Sequence, residues 1–171
     1  MGVARQVLTE YLTTGRIPSH NTDSRTLLEH RGAFVSLHQR ESRDLRGCVG
    51  EFLPRRPLLE SVTEMTIAAA TRDPRFPAVT AEELPELQIE ISALTPLYPI
   101  RPEQVQVGVH GLMIVKGQNK GLLLPHVPLI HGWDREDYLG NLCLKAGLEM
   151  DDWRSDNVEL LAFATEVWEE D

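Results

Sequence analysis

Leu87, Ile89, Ile91 and Ala93 alternate with Gln88, Glu90 and Ser92, and this is the clearest strand pattern in the chain. A period of two sends successive side chains to opposite faces, so the segment reads as a strand with one buried and one polar face. Such a strand needs sheet neighbours on either side and a layer over its apolar face. The rest of the sequence supplies both, but strands and helices do not alternate strictly along it. That order predicts an α+β fold, a mainly antiparallel sheet flanked by helices, rather than a parallel doubly wound one.

Val3, Val7, Leu8, Tyr11 and Leu12 recur at helical spacing, which predicts an amphipathic first helix ended by Gly15 and Pro18. His20 to Glu29 is polar and reads as loop. Gly32 to His38 is rich in β-formers and Leu45 to Phe52 follows a charged turn from Gln39 to Asp44, so the two are expected to pair as an antiparallel hairpin. Pro57 suits the first turn of a second helix carrying Leu58, Leu59, Val62, Met65 and Ala69 on one face, ending near Arg72-Asp73-Pro74. Gly117 to Gly121 has the chemistry of a hairpin turn between Leu112–Lys116 and Leu122–Leu124. Asp134 is a good N-cap for a helix with Leu139, Leu142, Cys143 and Ala146 along one stripe and Gly147 at its end. Val158 to Trp168, mostly apolar and β-prone, is expected to close the fold as a strand.

At 171 residues the chain is long enough to bury a core as a single domain, residues 1–171, and no linker divides it. The formal net charge of -9 disfavours a broad grip on phosphate backbones or anionic membranes, so nucleic acid is not the expected partner. No apolar run approaches the roughly 18 residues that span a bilayer. Two cysteines, Cys48 and Cys143, make no disulfide framework, and the amino terminus lacks the uninterrupted apolar core of a signal peptide. The expected location is cytoplasmic.

Phosphate-binding loops, dinucleotide fingerprints and Gly-x-Ser-x-Gly elbows are all absent from the sequence. The chemistry then falls to three segments. In Leu45-Arg46-Gly47-Cys48-Val49-Gly50, a strand would project Arg46 and Cys48 from one face, where a guanidinium stabilises a thiolate. Gly47 and Gly50 would let a ligand approach the backbone. The bland alternative is a small buried cysteine in a tightly packed strand. In Asp73-Pro74-Arg75-Phe76-Pro77, two prolines hold an acid, a base and a ring in a fixed loop, which suits binding; a helix-terminating turn is the plainer reading. His110, His126 and His131 lie beside glycines or prolines and are candidates for acid–base work, while their spacing gives no reason to expect a metal site. Cys143 falls on an apolar stripe and reads as core.

Taken in order, these segments resemble the AMMECR family. Its Leu-Arg-Gly-Cys-Ile-Gly hallmark is matched by residues 45–50, its Asp-x-Arg-Phe-Pro loop by residues 73–77, and its Gly-x-His-Gly-Leu segment by Gly108 to Leu112. Leu123-Leu124-Pro125, Gly132-Trp133-Asp134 and Cys143 to Leu148 are similar to later elements of the family. The resemblance runs from the first helix to the last strand. It implies a smaller subdomain beside the main sheet, and an association with Memo-like and radical S-adenosylmethionine partner proteins. It assigns no cofactor. The family usually shows Gln and Glu where His126 and Ile130 stand and Pro where Ala78 stands, so no carboxylate mechanism is expected at position 130.

Two readings follow. The first is an enzyme acting on a small molecule or a partner protein, with Cys48 as nucleophile and His110 as general acid or base. Arg46, Gly47, Gly50, Asp73, Arg75, Phe76 and His126 would bind and orient the substrate. The second is a non-catalytic binding or regulatory module using the same surface.

Overall fold

A computed structural model describes residues 1–170. The chain divides into two compact units, one of residues 1–94 joined by the segment from Glu166 onward, the other Thr95–Thr165.

The first unit holds helices α1 (Gly2–Thr14), α2 (Arg25–Leu28) and α3 (Leu58–Thr71) and strands β1 (Ala33–Gln39), β2 (Leu45–Glu51) and β3 (Leu87–Leu94). With β8 (Thr165–Glu169) these strands form a sheet in the order β2-β1-β3-β8, in which β1 runs antiparallel to both β2 and β3. One face of the sheet buries Val35, Leu37, Ile89 and Ile91 against Ala4 and Leu8 of α1 and Val62, Met65 and Ala69 of α3. Burying each large aliphatic side chain contributes about 1.5–3 kcal/mol, so this face sets the register of the strands. α1 ends where expected: Gly15 adopts φ 73° and donates its N–H to the Tyr11 carbonyl at 2.9 Å.

In the second unit β4 (Tyr98–Pro99), β7 (Glu159–Phe163), β5 (Gly111–Lys116) and β6 (Asn119–Leu123) form a second four-stranded sheet in that order. Helix α4 (Val127–His131) is short, and α5 (Arg135–Lys145) packs Leu139, Leu142 and Cys143 into this unit's core beside Leu112 and Ile114. Asp134 caps α5, its carboxylate accepting from the Asp137 N–H at 2.9 Å. The fold is α+β as expected, with two antiparallel sheets flanked by helices.

Four local expectations change. Residues 25–28 form one helical turn where a loop was expected, since a single turn is too short to display a 3.6-residue period. Pro57 is the N-cap rather than a first-turn residue of α3, with extended ψ of 147°. The β5–β6 turn is only Gly117-Gln118, because Lys116 already faces Asn119; Gly117 takes φ 61°, as the first position of such a tight hairpin demands. The 158–168 stretch breaks at Ala164 into β7 and β8, which join different sheets.

Candidate functional site

β2 is an edge strand, and an edge leaves backbone donors and acceptors unpaired. At Cys48 they are covered from the loop that follows α3. The Cys48 N–H donates to Asp73 Oδ2 at 2.8 Å, and Arg75 Nη2 lies 3.5 Å from the Cys48 carbonyl oxygen. Asp73 and Arg75 therefore stand in for a missing neighbouring strand.

The Asp73 side chain is only 3% exposed, and an ionised carboxylate is buried only with partners. It has four hydrogen bonds. Besides Cys48 N–H, it accepts from the Arg75 backbone N–H at 3.1 Å, from Arg75 Nε at 2.9 Å and from Arg75 Nη2 at 2.7 Å. The Arg75 guanidinium holds the Asp73 carboxyl well below the usual carboxylate range, against the opposing effect of burial. Asp73 in turn raises the pKa of Arg75, with a smaller Coulombic contribution from Cys48. The Phe76 ring lies beneath the guanidinium, 5.4 Å from ring centroid to Arg75 Cζ.

The sulfur itself points to the sheet face away from α3. Gly47, one residue before, faces α3, and Val49, one after, packs on the first unit's core. Cys48 is partly exposed, and Ser36, directly opposite on β1, donates its hydroxyl to Sγ at 3.2 Å. Glu90 of β3 lies across from Ser36 on the same face.

Arg46 is placed differently from the sequence expectation. The β1–β2 register runs Leu37 to Gly47 and then His38 to Leu45, so a bulge leaves Arg46 without a partner and interrupts the two-residue alternation. Its guanidinium grips Glu83 through Nε at 2.8 Å and Nη2 at 3.1 Å, and reaches the carbonyls of Pro77 at 2.9 Å and Ala78 at 3.4 Å. At 12% exposure it is committed to anchoring that loop, and it keeps Glu83 ionised below its ordinary range. The cation beside Cys48 is Arg75.

The two glycines also have packing reasons. A Cβ at Gly47 would sit 2.2 Å from the Ala69 carbonyl oxygen of α3, and one at Gly50 would sit 2.1 Å from the Phe34 ring. Helix and ring already occupy the space that was expected to admit a ligand.

His110 and His126 belong to the second unit. His110 Nδ1 accepts from the Gln106 N–H at 3.1 Å, and its ring meets Tyr98 edge-on at 6.4 Å. The buried Tyr138 hydroxyl donates to the His110 carbonyl at 3.1 Å, and burial pushes that phenol far up. His126 is exposed and precedes α4, whose Ile130 is also exposed. His131 stacks on Trp133 with centroids 4.6 Å apart. Among the described residues no group of three or more His, Cys, Asp or Glu is arranged to hold a metal ion. No described helix is long and apolar enough to cross a membrane.

Ser36 and Glu83 were absent from the sequence candidates. Gln39 N–H donates to the Asp44 carbonyl at 2.8 Å, and counting evenly from that closure would set Cys48 opposite Val35, facing the core. Only the bulge moves it opposite Ser36, and no residue pattern announces a bulge.

A family model described as AMMECR1 matches residues 1–168. Protein MJ0810 of Methanocaldococcus jannaschii is 42% identical over 98% of this chain and 86% of its own length. Protein MK0488 of Methanopyrus kandleri is 39% identical over 99% of this chain and 86% of its own. Among solved structures, that of the uncharacterized protein PH0010 from Pyrococcus horikoshii is similar with a TM-score of 0.81 and 40% identity, covering 99% of this chain and 89% of that one.

Proposed function

The chain belongs to the AMMECR1 family, and on that premise we propose that the first unit carries a cysteine-centred site acting on an electrophilic group of a small molecule or a partner protein. Cys48 is the nucleophile: its sulfur bonds to the electrophilic carbon of a polarised double bond, the π electron pair of that bond moves onto the heteroatom, and the thiol proton passes through water to the same heteroatom. Ser36 donates a hydrogen bond to the sulfur, which fixes the orientation of the thiol. Asp73 and Arg75 fix the strand backbone on which the sulfur rides, so it is presented without loss of ordering entropy at each encounter. The observation that carries the reading is the conjunction of a partly exposed Cys48 with a buried, ionised Asp73 bonded to the same residue's N–H.

The test is alkylation of the native protein by neutral iodoacetamide, followed by mass spectrometry. One adduct, on Cys48, with a rate lowered severalfold in Ser36→Ala, is the expected result. A native protein that leaves Cys48 unlabelled overturns the reading.

A second reading, a binding module working with a Memo-like or radical S-adenosylmethionine partner, draws on the exposed Pro74, Arg75 and Pro77 of the loop beside Cys48. It separates cleanly from the first. Cys48→Ser abolishes a nucleophile's function and spares a binder's, whereas Phe76→Ala weakens partner capture in the second case alone.

A further inference from the structure

The guanidinium of Arg75 is restrained on two sides and open on the third. Nε and Nη2 are bound to the two oxygens of Asp73, which is itself immobilised by burial. The face rests on Phe76. The remaining side is the end-on edge formed by Nη1 and the second N–H of Nη2. Among the described residues Nη1 meets no acceptor, and the Nη2 contact with the Cys48 carbonyl is at 3.5 Å, the limit of a hydrogen bond and readily exchanged. The side chain is 56% exposed. This is a fork with fixed orientation beside the residue that carries the sulfur, Nη1 open and the second Nη2 N–H held only by the long contact to the Cys48 carbonyl.

Charges nearby decide what such a fork takes. Arg46 is committed to Glu83 and two carbonyls, so it adds no open donor edge. The Asp73 carboxylate lies behind Arg75 and is shielded from solvent, so the outward side of the pair is cationic. The Glu90 backbone lies across two strand spacings from that of Cys48, about 10 Å. Beside the Cys48 backbone, therefore, the exposed charge is positive even though the chain as a whole carries -9.

We propose that the substrate of the Cys48 site carries a carboxylate or phosphate group next to its reactive carbon, and that the end-on edge of Arg75 receives it. A guanidinium fork matches either anion with two parallel hydrogen bonds, which a lysine in the same place would not give. The proposal rests on the nucleophile reading above and adds the substrate class to it.

Paired reagents test it. Iodoacetate and iodoacetamide deliver the same carbon to Cys48, one with a carboxylate and one without. In the native protein the iodoacetate-to-iodoacetamide rate ratio is expected to fall about fivefold on Arg75→Gln, the effect of one unit charge a few ångströms away in a wet site. Arg75→Lys should recover part of the ratio, and Arg72→Gln, on an exposed neighbour paired with Glu64, should leave it unchanged. Because Arg75→Gln also unmasks Asp73, the double variant Asp73→Asn/Arg75→Gln is decisive. A ratio that stays low there supports recognition by Arg75, and one restored to the wild-type value overturns it. Inorganic phosphate or acetate should also slow iodoacetamide labelling of the wild type more than chloride at equal ionic strength, and phosphate protection without acetate protection would assign the group as phosphate. Labelling that proceeds with no charge preference and no protection by either anion overturns this proposal alone. Absence of labelling by either reagent overturns the nucleophile reading and takes this one with it.

Discussion

The two cysteines make a controlled comparison within one chain. Cys143 lies on α5 in the second unit's core, fully buried, and desolvation pushes its thiol up. Cys48 lies on an edge strand of the first unit, partly exposed, with a hydroxyl donating to its sulfur and a guanidinium at its carbonyl. One residue type is thus an apolar filler in one place and a candidate nucleophile in the other. What differs is the element beneath it. A helix stripe packs its thiol among aliphatic side chains, whereas an edge strand recruits polar groups to cover its backbone and leaves its outward face partly open.

The largest expected difference is in reactivity. Native Cys143 should react with iodoacetamide only through unfolding, at least about a thousandfold slower than Cys48. Comparable rates, measured by peptide mass spectrometry, would dissolve the contrast. Next comes packing around the sites. Gly47→Ala forces a methyl against the Ala69 carbonyl and should cost about 3 kcal/mol in urea unfolding. An unchanged midpoint would show that α3 can slide on β2. Asp73→Ala leaves the Cys48 N–H and the Arg75 fork without their acceptor and should cost about 2 kcal/mol. Cys143→Ser, which buries a hydroxyl, should cost a similar amount, while Cys48→Ser should stay within about 0.5 kcal/mol.

The smallest effects concern pH, and they have opposite signs. The Asp73 carboxyl is depressed in the folded state, so its contribution is complete above the unfolded value of about 4 and is lost as the pH falls below it. The Cys143 thiol is raised, so its contribution is complete below about pH 8.5 and is lost as the pH rises beyond that. Stability curves of Asp73→Asn and Cys143→Ala against wild type should therefore converge with it at acid and alkaline pH respectively. Curves parallel to wild type throughout would remove these two groups as the causes.

Much of the architecture was legible because periodicity reports burial directly. The 87–93 alternation marked β3, the Leu58 to Ala69 stripe marked α3, and Asp134 with Gly147 bracketed α5. One position on the predicted polar face of β3 is nevertheless buried. Gln88 bonds to Arg43, 45 residues before it, and to the Glu170 carbonyl, 82 residues after it, contacts that no local pattern contains. The same limit applies at the site. The hexapeptide located the thiol, but Arg46 next to it turned out to serve Glu83, and Ser36 and Arg75 took the places beside Cys48.

Local sequence, then, determined which segments are helices and strands and where the reactive residue types stand along the chain, because those depend on neighbours within a turn or a pleat. Only the tertiary structure decided what Cys48 meets. One bulged residue in the β1–β2 register and an edge left open for Asp73 and Arg75 choose its partners, and both arise from how distant segments fit together rather than from any pattern within one of them.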